Sequence, residues 1–228
     1  MKNKKKFIAV IIIAAVVCAA AAIILAAGVL PRFSHNLKNA KIGDTAVFGS
    51  YEQNNDKSDG AEKLEWIVLA KENGKALITS RYALNCKVFN EENSDNIWKT
   101  SFLREWLNDE FYQNAFSEDE KTIIEPYSTD GETEDNVFVL STEEAEKYLS
   151  DENISKCSPT QFAKAFGAHT RTKCKTESGE LTCCYWLRSK GWHNDFAAII
   201  YYDGSVYERG ECVDEELAVR PAIWVNIG

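Results

Sequence analysis

The densest run of chemically capable side chains lies between Cys183 and Gly210, CCYWLRSKGWHNDFAAIIYYDGSVYERG. A cysteine becomes a useful nucleophile only with a base within reach, and the chain has three histidines, His35, His169 and His193. A hairpin that folds Cys183 or Cys184 back beside His193 would supply such a pair. The acidic loop at Asp130, Glu132, Glu134 and Asp135 carries oxygens of the kind calcium takes, about six to eight at a time, although a run of this kind is more commonly a solvated surface. Trp192 follows a glycine, stands among polar residues and falls outside any apolar period. Its ring either folds back onto the core or is displayed to recognise a sugar or a protein loop.

Cysteine usage offers another chemistry. Beyond Cys18 there are six, Cys86, Cys157, Cys174, Cys183, Cys184 and Cys212. An even number in an exported domain permits three disulfides, and Cys174 and Cys183 bracket KTESGELT, whose Ser-Gly centre suits a closed hairpin. Buried free thiols are the alternative. No C-x-x-C pair gives zinc spacing, and no glycine-rich phosphate loop, G-x-S-x-G or H-E-x-x-H occurs.

The elements that must position these residues begin with a membrane segment. Phe7 to Leu30 is a run of 24 residues without a charge, nine of them alanine. As a helix it would extend roughly 36 Å, enough to cross a hydrocarbon core of about 30 Å. Four lysines in MKNKKK precede it, so the positive-inside bias places residues 1–6 in the cytoplasm, residues 7–30 in the bilayer as an uncleaved signal anchor, residues 31–40 in a stalk and residues 41–228 outside the cell. A cleaved signal peptide would have a shorter apolar core. Without those four lysines, 22 basic residues face 35 acidic ones, which leaves no electrostatic footprint for nucleic acid.

The outer region reads as one α+β domain. TAVFGSYEQ predicts a strand, and KLEWIVLAKENGKALITSRYAL a hairpin turning at Asn73-Gly74. SFLREWLNDEFYQNAF has apolar residues at helical spacing. SEDE at Ser117 and STEE at Ser141 are capping boxes, and SPTQFAKAFG places Ser158 at an N-cap and Pro159 at the first helical position. A second hairpin turns at Asp203-Gly204. LAVRPAIWVNI closes the chain as a strand in which Pro221 marks an edge or a bulge, and the terminal strands are expected to be able to pair. Trp66, Trp98, Trp106, Trp186 and Trp224 sit in apolar periods and belong to the core. Arg188 and Arg220, within WLRS and VRPA, are read as structural ties to carbonyls or carboxylates.

The ordered blocks CYWLRS, FAAIIYYDGSVY and AVRPAIWV, with GSYEQ, EWIVL, YALNCKVFN, LREWLNDEF and AFSEDEKTII before them, resemble a bacterial family of uncharacterised extracellular domains from about Lys41 to Asn226. Where that family carries Pro-Gly after W-L-R-S, this chain has Lys190-Gly191. More distantly the pattern is similar to C-type-lectin-like folds, which include sugar-binding lectins, the formylglycine-generating enzyme and the variable proteins of diversity-generating retroelements. The resemblance implies a C-type-lectin-like arrangement of an N-terminal hairpin, central helices and C-terminal antiparallel strands. It implies a display surface of Trp192, His193, Asn194 and Asp195 with Tyr207, Glu208 and Arg209 as neighbours. The lectins' Trp-Asn-Asp strand is interrupted here by His193, and EPY at Glu125 replaces their Glu-Pro-Asn loop, so the expectation is no cofactor, with calcium as the alternative. The expected function is a single-pass, cell-surface, non-catalytic binding or adhesion domain for an extracellular glycan or protein. The alternatives are an enzyme related to the formylglycine-generating type and an accessory subunit of a cell-envelope complex.

Overall fold

Asn73 and Gly74 take left-handed backbone angles, φ 50° and 75°, the conformation a two-residue hairpin turn requires at both central positions. They join β2 (Glu62–Glu72) to β3 (Lys75–Ser80), with Glu72 opposite Lys75. The computed structural model describes Phe33 and residues 36–228. Residues 1–6, residues 7–30 read above as a membrane anchor, Cys18 and His35 lie outside the described residues. Among the described residues no helix is long and apolar enough to cross a membrane.

The domain is α+β and rich in strands. One sheet has the order β1-β2-β3-β12-β5, built from β1 (Thr45–Tyr51), the β2–β3 hairpin, β12 (Ala222–Asn226) and β5 (Ile124–Glu125). The other has the order β10-β9-β8-β11-β4, from β4 (Asn85–Lys87), β8 (Tyr185–Lys190), β9 (Phe196–Ile200), β10 (Val206–Cys212) and β11 (Leu217–Val219). A two-stranded ribbon, β6 (Tyr127–Ser128) with β7 (Glu134–Asp135), stands apart. The last strands differ from expectation in one respect. LAVRPAIWVNI is two strands in two sheets, because Pro221 has no N–H to continue a ladder and the chain crosses over at Arg220-Pro221. The Pro221 carbonyl is not idle there, accepting from the Ser80 N–H at 2.9 Å and the Thr79 hydroxyl at 3.0 Å. The terminal strands share a sheet without pairing: β1 is an edge beside β2, whereas β12 lies between β3 and β5.

The helices form between the strands. Helix α1 covers residues 102–115, with a π turn at Leu107–Phe111 between two α segments. That wider turn brings Trp106 and Phe111, five residues apart, into ring contact at 5.5 Å. Both capping boxes form, at the starts of α2 (Glu118–Lys121) and α3 (Thr142–Tyr148). After α4 (Glu152–Ser155), α5 (Gln161–Ala165) begins two residues later than its sequence suggests. Thr160, not Ser158, is the N-cap, accepting from the Ala163 N–H at 3.0 Å. The reason is tertiary: Ser158 and Pro159 run extended beside Ala83, with the Ala83 N–H bonded to the Ser158 carbonyl at 3.0 Å.

All five tryptophans expected in the core are buried. The segment read as a stalk is partly docked on the domain. Leu37 and Phe33 are buried, Phe33 stacks on Phe48 at 4.4 Å, and the Lys71 ammonium binds the Lys38 carbonyl at 2.9 Å.

Arg188 ties the second sheet to the helices. Its guanidinium grips Glu144 with Nη1–Oε2 at 2.5 Å and Nη2–Oε1 at 2.8 Å, and donates to the Val139 carbonyl at 2.8 Å. Glu144 also accepts from the Ser141 N–H at 2.9 Å and from the Tyr127 hydroxyl at 2.9 Å. Burial works to raise the Glu144 carboxyl, but the Arg188 bonds and charge outweigh it and hold the group below the ordinary carboxylate value. Removing one partner of such a pair leaves a buried charge alone, at a cost of about 3–5 kcal/mol. Because the folded value is depressed, the contribution is complete above the unfolded glutamate value of about 4.3 and is lost as pH falls through the folded value. Urea unfolding of Glu144→Gln is therefore expected to show a large destabilisation near neutral pH, with the gap to the parent narrowing once the pH drops below about 4. A gap that is small at neutral pH, or constant through acid, would remove Arg188–Glu144 from this role.

Candidate ligand-binding loop

The connection from β8 to β9 is short because two glycines let the backbones close in. A Cβ on Gly191 would sit 2.6 Å from the Arg209 carbonyl oxygen and 2.7 Å from Phe196 Cβ. Gly210 has φ +74°, and a Cβ there would fall 2.1 Å from the Ala197 carbonyl oxygen. The β9–β10 register shifts between Tyr207 and Glu211, the bulge in which Gly210 sits.

With the backbones this close, three segments hold the loop. The Gly191 N–H bonds to the Phe196 carbonyl at 2.7 Å and the Trp192 N–H to the Arg209 carbonyl at 3.0 Å. The Val213 N–H bonds to the Asp195 carbonyl at 2.9 Å. From a distant part of the chain, the Asn96 N–H bonds to the Asn194 carbonyl at 2.6 Å, while its side-chain amide donates to the Phe196 and Ser189 carbonyls at 3.1 and 3.3 Å. The polar backbone is used up inward, and the Trp192 ring is left 67% exposed. The Arg209 guanidinium lies 4.5 Å over that ring, and His193 packs nearly parallel to it at 6.2 Å. Trp192 is thus displayed, with His193, Asn194, Glu208 and Arg209 exposed near it and Asp195 half-buried, whereas the exposed Tyr207 ring packs on Tyr201 at 5.9 Å.

Beside Trp192 is a cavity of about 560 Å³, walled by Thr142, Lys190, Glu208 and Arg209. A neighbouring cavity of about 660 Å³ shares Thr142 and Lys190 with it and reaches Ile97, Lys99 and Asp130. Together they form a trough running from Trp192 to the exposed Ile97, with the Arg188 side chain in its wall. Asn96, Ile97 and Thr142 carried no local sequence signal for this place; only tertiary pairing brings them to the loop.

The other candidate chemistries are separated. Cys183 and Cys184 precede β8, whereas His193 follows it, and six strand residues span roughly 20 Å. The cysteine–histidine pair beside the hairpin therefore does not form. His169 does line a cavity of about 260 Å³ with Cys184. There burial pushes the Cys184 thiol up to about 12, against the hydrogen bonds from Tyr202, which is the reverse of an activated nucleophile. The acidic loop is committed to itself and its neighbours. Asp130 Oδ1 accepts from the Glu132 and Thr133 N–H groups, at 2.9 and 2.6 Å, and Glu132 pairs with Lys99 at 3.1 Å. Asp135 is fully buried between the Trp98 indole at 2.8 Å and the Arg104 guanidinium at 2.6 Å. Among the described residues no group of three or more His, Cys, Asp or Glu could hold a metal ion. Cys86, Cys157, Cys174, Cys183, Cys184 and Cys212 are free thiols. The hairpin between Cys174 and Cys183 forms through a Lys175–Leu181 bridge without a sulfur link. Trp186 and Arg220 are buried structural residues, the indole N–H of Trp186 bonding to the Lys87 carbonyl at 2.8 Å.

Fold and site together define an α+β domain of two mainly antiparallel sheets that presents one aromatic loop over an open trough. The chain belongs to the family described as Domain of unknown function (DUF6273), which matches residues 73–227. The match begins in the β2–β3 turn, later than the Lys41 start that the motif resemblance suggests. No curated protein and no solved structure matches the chain.

If the bulge aims Arg209 at Trp192, Gly210→Ala should cost about 1–3 kcal/mol of stability through backbone strain. Gly60→Ala, also at positive φ but with open space around it, should cost distinctly less. Chemical denaturation of the two variants side by side checks this, and equal losses would show that the contact with Ala197 is unimportant.

Proposed function

We propose that this chain is a membrane-anchored, non-catalytic, extracellular binding domain whose display loop recognises a glycan. Residues 7–30 serve as the anchor in the bilayer, and no cofactor is required. The observation that carries the reading is the exposed Trp192 ring, held by inward backbone bonds and backed by Arg209. An aromatic face with polar groups at its rim suits a sugar, whose C–H surface stacks on the ring while its hydroxyls meet side chains such as Asn194, Glu208 and Thr142. Fold alone does not assign function, so the reading rests on the loop and not on the α+β architecture. The exposed apolar Ile97 favours a protein loop as the second reading of the ligand.

A screen of the full-length chain against glycans and cell-wall fragments, with and without calcium, tests the proposal. Binding is expected, and Trp192→Ala should weaken it by at least about tenfold, as for an aromatic hot spot, with the Trp192→Ala, Asn194→Ala double variant weaker still. Binding that survives both variants would move the site away from this loop. Calcium dependence would implicate the Asn194 and Asp195 oxygens. Failure of every glycan, with capture of a protein that Trp192→Ala abolishes, would transfer the site to the protein-ligand reading.

A further inference from the structure

Arg220 is buried at the crossing between the sheets, and among the described residues no carboxylate pairs with it. Its guanidinium donates to the Ser80 carbonyl at 2.8 Å, the Ile154 carbonyl at 2.7 Å and the Tyr185 hydroxyl at 3.0 Å, while Nη2 has no partner. A buried charge ordinarily requires a counter-charge. The ionisable groups around this one are Cys157, Tyr185 and Cys183. Cys157 lies between α4 and α5, and Cys183 opens the approach to β8. Their backbones are in contact: the Cys183 N–H and the Cys183 thiol both donate to the Cys157 carbonyl, at 2.9 and 3.5 Å, while the Cys157 thiol donates to the Arg81 carbonyl at 3.6 Å.

We propose that Cys157 and Cys183 are a thiol–disulfide pair, the one cross-link this fold is built to close. The other four described cysteines face different groups: Cys86 the Glu216 charge, Cys174 Lys156, Cys184 Tyr202 and Cys212 Asp214. The two members of the pair also differ from each other. Burial works to raise Cys157, but the Cys183 thiol and the Arg220 charge hold it below the ordinary thiol value. Burial first, then the neighbouring Cys157, pushes Cys183 well above that value. This is the division between an attacking and a resolving thiol.

The oxidant is a small-molecule disulfide. The Cys157 thiolate attacks one of its sulfurs, a new S–S bond forms as the oxidant's breaks, and the released thiolate takes up a proton. Cys183 then loses its proton and attacks the Cys157 sulfur, closing the Cys157–Cys183 bond and expelling the second thiol of the oxidant. Two protein thiols are oxidised and one disulfide is reduced to two thiols. Both sulfurs are buried, so exchange proceeds during folding.

The test is to refold the full-length chain in a series of reduced and oxidised glutathione mixtures, trap free thiols with iodoacetamide under denaturing conditions and map the peptides by mass spectrometry. One linked peptide pair, Cys157 with Cys183, is expected to grow with oxidation while Cys86, Cys174, Cys184 and Cys212 are alkylated throughout. Cys183→Ser should halt the reaction at glutathione on Cys157, and Cys157→Ser should leave Cys183 alkylated. If either variant fails to fold, the map of the parent decides. A dominant link between any other cysteines, or Cys157 and Cys183 both alkylated in the most oxidising mixture, would overturn the pairing.

Discussion

Burying the Arg188 guanidinium is the constraint around which the second sheet and the helices are arranged. A guanidinium taken out of water needs a carboxylate and several further acceptors to be tolerable. Glu144 supplies the carboxylate, and Val139 supplies a carbonyl. Glu144 can do so only because it sits at the third position of α3, where its other task is to cap the Ser141 N–H. A single carboxylate thus fixes the start of a helix, the end of β8 and, through the Tyr127 hydroxyl, the β6–β7 ribbon. The trough beside Trp192 inherits its wall from this arrangement, since Arg188, Ser141 and Thr142 all line it.

Arg220 solves the same problem differently. It sits where the chain leaves one sheet for the other, a place where ladder bonding stops and carbonyls are left over. Ser80 and Ile154 offer theirs to it. Carbonyl dipoles solvate a cation without neutralising it, so the charge remains available to whatever anion lies nearby. Two arginines in similar W-L-R-S and V-R-P-A settings therefore have unlike electrostatic consequences: one is saturated and structural, whereas the other leaves a positive field inside the domain next to sulfur.

What the sequence disclosed was local. The Asn73-Gly74 turn and the boxes at Ser117 and Ser141 depend on residues within four positions of each other, and they form as read. The helix at Ser158 does not start there, because a distant Ala83 claims its carbonyl, and no period within SPTQFAKAFG carries that information. The split of LAVRPAIWVNI was half legible: Pro221 signalled a break, but which sheet each half joins is decided by β4 and β3. For Trp192 the sequence left display and burial open. The decision came from Asn96, Arg209 and Val213, whose bonds to the loop span up to about a hundred positions of chain.

Those same bonds bear on whether an exposed tryptophan means recognition. A ring on a mobile loop would have to be ordered by its ligand, and that ordering would cancel much of the stacking gained. Here the ordering is already done: Gly191 and Gly210 let the strands approach, the backbone of the loop is bonded inward, and the ring is left to water. Hydrophobic folding alone would have buried so large an apolar surface, and Trp66 and Trp186 a few elements away are buried completely. A loop held rigid so that its one large aromatic stays outside stabilises little in the isolated domain, and that is the physical ground on which the proposed binding role stands.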